Sequence, residues 1–555
     1  RHEMRILGPN TSGMALPPLQ LHASFVPAVT RLMPGSVAVI AQSGGVAHAT
    51  ALALHSEGIG VGTMIGTGNA VDVDLPELIT AIARRGQHSC ISVHLEGTSD
   101  GAGLIQAIEL ASRSVPVVVL KSGVSDVDRL AASHTGALTG DWKVAQALLT
   151  EAGAVVVSTL GDLVDAVTGL SITRLAPGPR PAAAGVVTGQ AGPGILLTDR
   201  LQTLGVAVPP LSPPVAERLE ELLPALTHRQ NPVDTGRPGD AFAEILTVVG
   251  SDPGIDVVVV YALLEPGAVD LESSLDRAAR SSNVPLLAST NGLVDEVGRA
   301  REVLRRSGIP LYTNPERAAR GAWALFEDRR AAFLRDQKNS NPIVGTPIVD
   351  VALPLTEADA KAYIQRAGVQ VPESRVCPDR QSARRAFAEL SSEGDPVVVK
   401  IHSTQIGHKA AVGGVHLDVI TSEELERALD DIDRVDRRDS GYLVEEQVDP
   451  GTDLFIAARH DPSWGSVGLL GLGGGDVEAS GSVAIFALPA SHETVRDVLS
   501  SLVPDASDRA GEVLRIVGQL EAALQAWPEA ESFEINPLRI TPQGLVALDA
   551  LVDVK

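Results

Sequence analysis

One histidine lies in a segment whose composition suits a mobile loop that contacts a ligand. His134 is preceded by Ser133 and followed by Thr135 and Gly136 within residues 121–140 (KSGVSDVDRLAASHTGALTG). Small, hydroxylated and glycine residues allow a loop to move and to approach a ligand closely. The segment follows the apolar run 116–120 (PVVVL), which is typical of a buried strand. A lone histidine in such a loop is more often a hydrogen-bonded surface residue than a reactive one, so its chemistry depends on the rest of the chain.

Two glycine-containing turns and one glutamate lie where strands are predicted to end. Ser43-Gly44-Gly45 and Gly192-Pro193-Gly194 each come between a predicted strand and a predicted helix. The free N–H groups and the dipole of a helix N-terminus attract anions, so both turns are candidate phosphate-binding sites. Glu96 follows the predicted strand 90–95, where its carboxylate could orient an imidazole and leave the other ring nitrogen nucleophilic. Glycine is common at such turns and a strand-end glutamate is often only solvated, so these residues are candidates.

The last third of the chain contains a different set of polar residues at predicted strand ends. Lys400 ends the apolar run 397–400 (VVVK), where a lysine could neutralise phosphate oxygens or simply cap a surface strand. Asn536 lies in EINPL (534–538) and Asp549 in LDA (548–550), on two predicted strands joined by a turn at 541–544. Oxygen ligands on adjacent strands can hold Mg²⁺ against nucleotide phosphates. Asn536 and Asp549 are therefore the candidate metal ligands.

The elements that must position these residues alternate between strands and helices. Over 34–176 and again over 181–328 this alternation predicts two doubly wound parallel sheets. Ligands bind such sheets at the carboxyl ends of the strands, where both glycine turns, Glu96 and the His134 loop fall. A Pro-rich hinge at 176–181 separates the two domains, and a charged, then Asn/Ser/Pro-containing linker over 327–345 follows the second. Residues 345–555 form the last predicted domain.

Composition disfavours several kinds of partner. The formal charge of −24 argues against nucleic acid or an anionic membrane surface, and an aromatic content of 3% leaves few side chains for stacking on bases. No apolar run of the sequence reaches the roughly 20 residues of a membrane span. The two cysteines, Cys90 and Cys377, fall in different predicted domains. A reducing compartment and a cytoplasmic location are therefore expected.

Taken together, these motifs resemble the NDP-forming (ADP-forming) acyl-CoA synthetases, which are relatives of succinyl-CoA synthetase. SHTGALTG around His134 is similar to that family's phosphohistidine loop, and residues 407–414 (GHKAAVGG) are similar to its SHK…VGGV loop. The order of elements in the last domain resembles an ATP-grasp domain. The resemblance covers essentially the whole chain. It implies an α/β protein with two flavodoxin-like doubly wound domains (34–176 and 181–328) followed by an ATP-grasp domain (345–555).

The resemblance also implies a role for each candidate residue. His134 would carry a phosphoryl group between sites, Glu96 would orient it, and His408 would be a second phosphoryl carrier. The two glycine turns would face the phosphohistidine. Residues 443–448 (LVEEQV) would form the adenine hinge, with a ribose contact close by. The implied nucleotide-binding residues are Lys400, Glu445, Glu446, Val448 and Asp453, and the implied metal ligands are Asn536 and Asp549.

The implied activity is the conversion of a carboxylic acid, CoA and ATP to acyl-CoA, ADP and phosphate, through an acyl phosphate and a phosphohistidine. Mg²⁺, ATP/ADP and CoA would be the cofactors and substrates, and the enzyme would be a homodimer or homotetramer. Two other interpretations stay open. One is a degenerate copy of this assembly that serves as the regulatory module of a protein lysine acetyltransferase, and the other is a lyase that uses ATP-dependent acyl-CoA chemistry. The acid itself is not readable, since an acyl pocket is set by three-dimensional shape.

Two features depart from the family pattern. Gly8-Pro9-Asn10 resembles the turn that closes the family's N-terminal Rossmann-like CoA-binding domain, so residues 1–33 would be its tail and the body of that domain would be largely missing. Phe486, in SVAIFALP (482–489), stands where a basic side chain is expected near the phosphate-binding strand. Arg459 is a candidate substitute for that charge.

Overall fold

A computed structural model of the chain describes residues 4–124, 142–179, 181–265, 270–338, 345, 353–391, 394–406, 409–436, 441–474 and 483–554. The chain divides into two compact units, Arg1–Asp336 and Gln337–Lys555, called unit 1 and unit 2 below. His134 and His408, the two predicted phosphoryl carriers, lie outside the described residues. Within the described ranges, none of the helices combines the length and the apolar character needed to cross a bilayer.

Unit 1 begins with a seven-stranded sheet. Its strands are β1 (Gly13–Leu16), β2 (Leu21–Ser24), β3 (Pro34–Ala41), β4 (Val61–Gly66), β5 (Cys90–Leu95), β6 (Val117–Lys121) and β7 (Ala154–Val157). Its helices are α1 (Gly44–Ser56), α2 (Leu75–Arg85), α3 (Gly101–Ser112), α4 (Trp142–Glu151) and α5 (Leu160–Leu170). The order is β2-β1-β4-β3-β5-β6-β7, with β3 to β7 parallel and β1 antiparallel to both β2 and β4. The parallel part has the flavodoxin-like order, whose ligand crevice lies between the carboxyl ends of β3 and β5.

A second parallel sheet in unit 1 has the same order. Its strands are β8 (Ala184–Thr188), β9 (Val233–Asp234), β10 (Val257–Tyr261), β11 (Leu286–Ser289) and β12 (Leu311–Tyr312), arranged β12-β11-β10-β8-β9. Its helices are α6 (Ala191–Thr203), α7 (Pro213–Leu222), α8 (Phe242–Gly250), α9 (Leu271–Ser281), α10 (Val294–Arg306) and α11 (Pro315–Lys338). The equivalent crevice lies between the carboxyl ends of β8 and β10.

The two sheets of unit 1 share one hydrophobic core. Buried residues of α5, such as Val167, pack in the same cluster as Val186 of β8 and Leu325 of α11. Helix α11 is longer than the sequence suggested, because it continues to Lys338 through the segment predicted as a linker. Leu334 in that segment is 5% exposed. Burial of apolar side chains such as Leu334 therefore stabilises the helix through a segment whose sequence is mostly charged and polar.

Unit 2 contains two antiparallel sheets. The first is built from β13 (Ser374–Cys377), β14 (Val397–His402), β15 (Val415–Val419) and β16 (Gly441–Glu446), in the order β13-β16-β14-β15. The second contains β17 (Thr452–Asp461), β18 (Gly465–Leu472), β19 (Val483–Ala487), β20 (Ala530–Thr541), β21 (Gly544–Ala547) and β22 (Ala550–Val554). Its order is β19-β18-β17-β20-β21, and β22 also pairs with β20. The helices are α12 (Glu357–Arg366), α13 (Arg380–Leu390), α14 (Ser422–Val435), α15 (His492–Leu502) and α16 (Ala510–Ala526).

The end of the chain differs from the sequence prediction at one place. The pattern predicts a single strand over 545–550, whereas β21 and β22 are separate strands that pair with opposite ends of β20. Pro537 has no amide hydrogen, so β20 cannot pair continuously across it. At this break the Leu548 amide donates to the Pro537 carbonyl at 2.9 Å, and the Asn536 amide donates to the Asp549 carbonyl at 3.2 Å. Asp549 therefore lies in the connection between two strands, directly beside Asn536.

Candidate active site

The crevice of the first sheet is held together by Gln42, the residue that follows β3. Its side-chain oxygen accepts a hydrogen bond from the Glu96 amide at 2.5 Å, and its side-chain nitrogen donates to the Gly97 carbonyl at 2.7 Å. The Gln42 amide donates to the His94 carbonyl at 3.3 Å. The ends of β3 and β5 are thus tied at the point where the sheet order reverses. Glu96, half-buried, has its backbone fixed at this edge.

The predicted phosphate turn Ser43-Gly44-Gly45 lies at the same edge. Ser43 is the N-cap of α1, and its hydroxyl accepts a hydrogen bond from the Val46 amide at 3.5 Å. Gly44 and Gly45 are the first two residues of the helix. Their amides have no acceptor within the helix, because the first N–H groups of any α-helix lack one. The structure therefore brings this turn and Glu96 together at one crevice, as an anion site at a helix N-terminus requires.

A buried lysine and a buried histidine form hydrogen bonds beneath this crevice, and no sequence motif marks either of them. Lys121, fully buried at the end of β6, donates from Nζ to the carbonyls of Glu96 at 2.9 Å and Ser122 at 2.6 Å. His94, 4% exposed, has its Nε2 3.0 Å from the Ser122 hydroxyl. Burial lowers the pKa of His94 to about 4, and the nearby charge of Lys121 adds to the effect. His94 is therefore a neutral imidazole at pH 7.

Gln190 has the same position in the second sheet that Gln42 has in the first. It follows the end of β8, and its side-chain oxygen accepts a hydrogen bond from the Leu263 amide, after β10, at 3.2 Å. Helix α6 starts at Ala191, so Gly192 lies in its first turn and is exposed. Gly194 is buried, and a β-carbon there would lie 2.5 Å from the Thr188 side chain. Gly192 thus lies at the open helix N-terminus, whereas Gly194 lets the helix pack closely on β8.

In unit 2, Lys400 lies in a buried group of charged residues. Lys400 Nζ is 2.7 Å from Glu357 Oε1 and 2.6 Å from Glu445 Oε1. Lys361 Nζ contacts the same two carboxylates at 2.7 and 2.6 Å, and Lys409 Nζ lies 2.9 Å from Glu357 Oε2. All five residues are 5% exposed or less. We call Glu357, Lys361, Lys400, Lys409 and Glu445 the lysine cluster.

The sequence places these side chains together through three elements. Thr356 caps α12 in a capping box with Asp359, which fixes Glu357 in the first turn. Lys361 is four residues further on and so shares the face of Glu357. Lys400 of β14 and Glu445 of β16 lie on paired strands, with Lys400 opposite Leu443 and Glu445 opposite Val398. Of the cluster, only Lys400 and Glu445 are predicted from the sequence as site residues.

The predicted metal ligands lie beside the lysine cluster. Lys400 Nζ donates to the Leu548 carbonyl at 2.7 Å, and Lys409 Nζ lies 3.6 Å from Asp549 Oδ1. Asp549 Oδ1 is a buried atom that has no hydrogen-bond partner among the described residues. Asn536 Oδ1 accepts from the Gly474 amide at 3.1 Å, which leaves its second lone pair. The structure therefore brings Lys400, Asn536 and Asp549 into one region.

The electrostatics of this region are set by burial and by close opposite charges. Burial raises the pKa of Glu357, but the charges of Lys400, Lys361 and Lys409 outweigh it and hold that pKa well below its usual range. Burial also lowers the pKa of Lys400, and the charges of Glu357 and Glu445 reverse this so that it is raised. Burial, aided by the charge of Glu357, raises the pKa of Asp549 to about 6 although the lysines oppose the shift. Glu357 and Lys400 are therefore both ionised at pH 7.

The remaining predicted nucleotide contacts lie at the end of β16, in the connection that follows it and at the start of β17. Glu446 is exposed, and its amide donates to the Glu373 carbonyl at 2.9 Å. Val448 accepts at its carbonyl from Arg539 Nη1 at 2.9 Å. The Asp453 carboxylate binds the Arg539 fork at 2.7 and 2.9 Å. Arg539 thus connects the predicted hinge to the predicted ribose contact, and no sequence motif marked it.

Several known proteins are similar to this chain. Residues 34–170 match the succinyl-CoA ligase like flavodoxin domain, and residues 352–554 match the ATP-grasp domain. The chain is 28% identical over 586 residues to acetate–CoA ligase [ADP-forming] I of Archaeoglobus fulgidus, which covers 99% of this chain and 82% of the relative. It is 30% identical over 342 residues to the alpha subunit of acetate–CoA ligase [ADP-forming] II of Pyrococcus furiosus, which covers 60% of this chain and 72% of the subunit.

A solved structure is similar as well. It is the dinucleotide-forming acetyl-coenzyme A synthetase 1 of Ca. Korarchaeum cryptofilum in complex with phosphate and ADP, with 25% identity and a TM-score of 0.53. The match covers 60% of this chain and 72% of that chain. The first family match, residues 34–170, contains the Ser43-Gly44-Gly45 turn and Glu96, and the second, residues 352–554, contains the lysine cluster, Asn536 and Asp549.

Proposed function

The chain belongs to the family of ADP-forming acyl-CoA ligases, and we propose that its nucleotide half-reaction takes place at the lysine cluster of unit 2. The reaction of the family converts a carboxylic acid, CoA and ATP to acyl-CoA, ADP and phosphate. The sequence predictions of the family, of the fold class and of this ligase chemistry are confirmed. The roles of single residues are proposed below from their contacts.

One observation carries the proposal for the nucleotide site. Three lysines and two glutamates are buried together. Asp549 lies next to them, and Asn536 lies beside Asp549. A purely structural cluster would have no need of a further buried carboxylate oxygen without a hydrogen-bond partner, because such an atom costs free energy. A site that binds a polyanion together with a divalent cation needs positively charged lysines for the polyanion and a free carboxylate oxygen for the cation.

Asn536 and Asp549 fit a magnesium ion. Both provide oxygen, which is the donor that Mg²⁺ prefers, and Asp549 Oδ1 is a buried atom without a hydrogen-bond partner among the described residues. Lys409 Nζ, at 3.6 Å, is beyond hydrogen-bond distance from it. When bound, Mg²⁺ would neutralise charge on the nucleotide phosphates. Lys400 and Lys409 would face the same phosphates, and Glu357 and Glu445 would hold the lysine side chains in place.

The crevice of the first sheet supports the other half-reaction. The first turn of α1 provides amides for a phosphoryl group, Glu96 lies at the same edge, and Gln42 fixes the spacing between them. We propose that His134 is the residue phosphorylated there, oriented by Glu96, and that His408 receives the phosphoryl group at the nucleotide site. The first turn of α6, with Gly192, would provide the second anion site. Positioning and charge stabilisation would supply most of the rate enhancement.

We also propose a cytoplasmic location. Cys90 and Cys377 are both buried and unbridged, as is usual in a reducing compartment.

The test uses Asp549→Ala, with Asp553→Ala as the matched control. Asp553 is an exposed residue of β22 whose carboxylate accepts a hydrogen bond from Ser532. Each variant is incubated with Mg²⁺ and [γ-³²P]ATP, and acid-labile label is measured together with ADP release. Asp549→Ala should lower the initial rate tenfold or more, which corresponds to at least about 1.4 kcal/mol in the barrier. Asp553→Ala should label like the wild type.

The same proteins are then labelled from the other side, with a panel of [³²P]acyl phosphates, which need no CoA. Label should still form in Asp549→Ala, because that half-reaction does not use the nucleotide site. Normal labelling of Asp549→Ala from ATP would rule out its metal role. Loss of labelling from both sides would indicate misfolding instead, and persistence of label in His134→Ala and His408→Ala combined would exclude the proposed relay.

A further inference from the structure

Ser12 carries a buried hydroxyl without a hydrogen-bond partner at the first crevice. The residue is 6% exposed, and its Oγ has no partner among the residues that the structure describes. Leaving a buried polar group unpaired costs about 1–3 kcal/mol, so such a group is rarely retained without a reason. The turn that holds Ser12 is well fixed, since the Thr11 hydroxyl donates to the Gly66 carbonyl and accepts from the Gly13 amide.

The Ser12 hydroxyl lies against the start of α1. A β-carbon on Gly44, the first residue of that helix, would lie 2.6 Å from Ser12 Oγ, and a β-carbon on Gly66 would lie 2.9 Å from it. Both distances are too short for a real side chain, so these two positions require glycine to leave room for the hydroxyl. The Ser12 hydroxyl can therefore lie beside the helix N-terminus because Gly44 and Gly66 have no side chains.

The first turn of α1 has donors to offer there. The Ser43 hydroxyl is already used as the cap for the Val46 amide, whereas the amides of Gly44 and Gly45 have no acceptor within the helix. A helix of this length, Gly44–Ser56, presents a partial positive charge at its start. Several backbone amides and one hydroxyl donor beside the same helix N-terminus match the several acceptor oxygens of a phosphate dianion better than they match a carboxylate.

We propose that Ser12 is a phosphate-binding residue, whose hydroxyl donates a hydrogen bond to a phosphate dianion held at the first turn of α1. The inference rests on the proposed function, because the phosphate is the one that this reaction transfers and releases. It goes beyond the glycine turn by assigning a side-chain donor from a different segment of the chain. Free inorganic phosphate and a phosphoryl group on a histidine share this chemistry, and the experiment distinguishes them.

The principal variant is Ser12→Ala, and the control is Ser56→Ala at the other end of the same helix, where the hydroxyl is exposed and donates to the Leu52 carbonyl. Equilibrium dialysis with [³²P]phosphate alone measures affinity for the free ion. Ser12→Ala should bind about tenfold more weakly than the wild type, as expected for loss of a hydrogen bond to a charged group. Ser56→Ala should be unchanged, and all three proteins should bind ADP equally.

The stability of the variants, measured with and without phosphate, distinguishes a phosphate-binding role of Ser12 from a purely structural one. Without phosphate, Ser12→Ala should be at least as stable as the wild type, because the substitution removes an unpaired buried hydroxyl. Adding phosphate should raise the melting temperature of the wild type and of Ser56→Ala more than that of Ser12→Ala. Ser12→Gly, which also lacks the hydroxyl and leaves no methyl group against Gly44, serves as the second variant if Ser12→Ala folds poorly.

The two sources of phosphate are separated by the lifetime of label transferred from Mg·[γ-³²P]ATP. Weaker binding of free phosphate by Ser12→Ala assigns Ser12 to the free ion, and a shortened label lifetime with normal phosphate affinity assigns it to the covalent phosphoryl group. If both quantities match the wild type, the inference is overturned. Failure of every protein to bind ADP or to become labelled would overturn the proposed function instead.

Discussion

Glu357→Gln tests whether the lysine cluster is held together by charge. Glu357 is 3% exposed and contacts three ammonium groups, those of Lys361, Lys400 and Lys409, at 2.7 to 2.9 Å. At an effective dielectric constant of about 20, each such contact is worth roughly 6 kcal/mol before the cost of desolvation is subtracted. Removing one partner of a buried ion pair costs about 3–5 kcal/mol net. Glutamine keeps the shape and removes the charge, so Glu357→Gln should destabilise unit 2 by about that amount.

Hydrogen exchange of peptides that cover β14 measures this effect locally. A cost of about 3 kcal/mol or more should lower the protection of β14 about a hundredfold when nucleotide is absent. Peptides that cover β10 in unit 1 serve as the control within the same molecule and should not change. Mg·ATP should restore part of the lost protection, because phosphate oxygens can replace the missing carboxylate beside the lysines.

A second substitution makes the test specific to charge. Glu357→Gln leaves an excess of buried positive charge, and Lys361→Met removes one ammonium group while keeping apolar volume. The double variant should therefore be more protected than Glu357→Gln alone, with a coupling of about 2 kcal/mol or more between the two sites. The reasoning is refuted if Glu357→Gln changes the protection of β14 less than about fivefold, or if Lys361→Met adds to the damage instead of relieving it.

Two further predictions concern pH. His94 has a pKa of about 4 in the folded chain, below its value of about 6.5 in the unfolded chain. The stability that depends on neutral His94 is therefore present above pH 6.5 and is lost as the pH falls toward 4. In urea unfolding, the wild type should lose about 2 kcal/mol between pH 7 and pH 5 that His94→Gln does not lose. Burial raises the pKa of Glu521, on α16, to about 7, so the folded chain is destabilised as pH rises from about 4.5 through 7, and Glu521→Gln should add about 1–2 kcal/mol at pH 8 but little at pH 5. Equal gains at both pH values, measured by the same unfolding experiment, would contradict the burial of an ionisable group at Glu521.

The sequence was sufficient to predict the two parallel sheets of unit 1 and the edge at which Glu96 and the glycine turns lie. Alternating short strands and helices, with glycine after β3 and near the start of α6, is a local pattern, and the parallel arrangement follows from it. The paired roles of Gln42 and Gln190 were not predicted. Each ties two strands that are separated by more than fifty residues in the sequence, and a glutamine after a strand carries no local signal.

The lysine cluster shows the same limit in unit 2. Lys400 could be predicted because it ends a strongly apolar strand, but Glu357 and Lys361 read as an ordinary pair of opposite charges on a helix surface. Their burial depends on how α12 packs against β14 and β16, which no local pattern describes. The division of the last strand at Asp549 was missed for a related reason. Residues 545–550 read as one strand, and only the partner strand, through Pro537, determines where the pairing breaks.

Phe486 stands where the family pattern predicts a basic residue that would bind phosphate. Phe486 lies opposite Gly468 on the paired strand β18, is fully buried, and belongs to the main core of unit 2. A β-carbon at Gly468 would lie 2.2 Å from the Phe486 ring, so the ring occupies the space that the glycine leaves. A basic side chain could not replace Phe486 without burying a charge in this apolar core, which is costly. An aromatic ring that packs in the core therefore occupies the position of the expected basic residue. The positive charge near Asp549 comes from Lys400, on β14, and from Lys409, between β14 and β15.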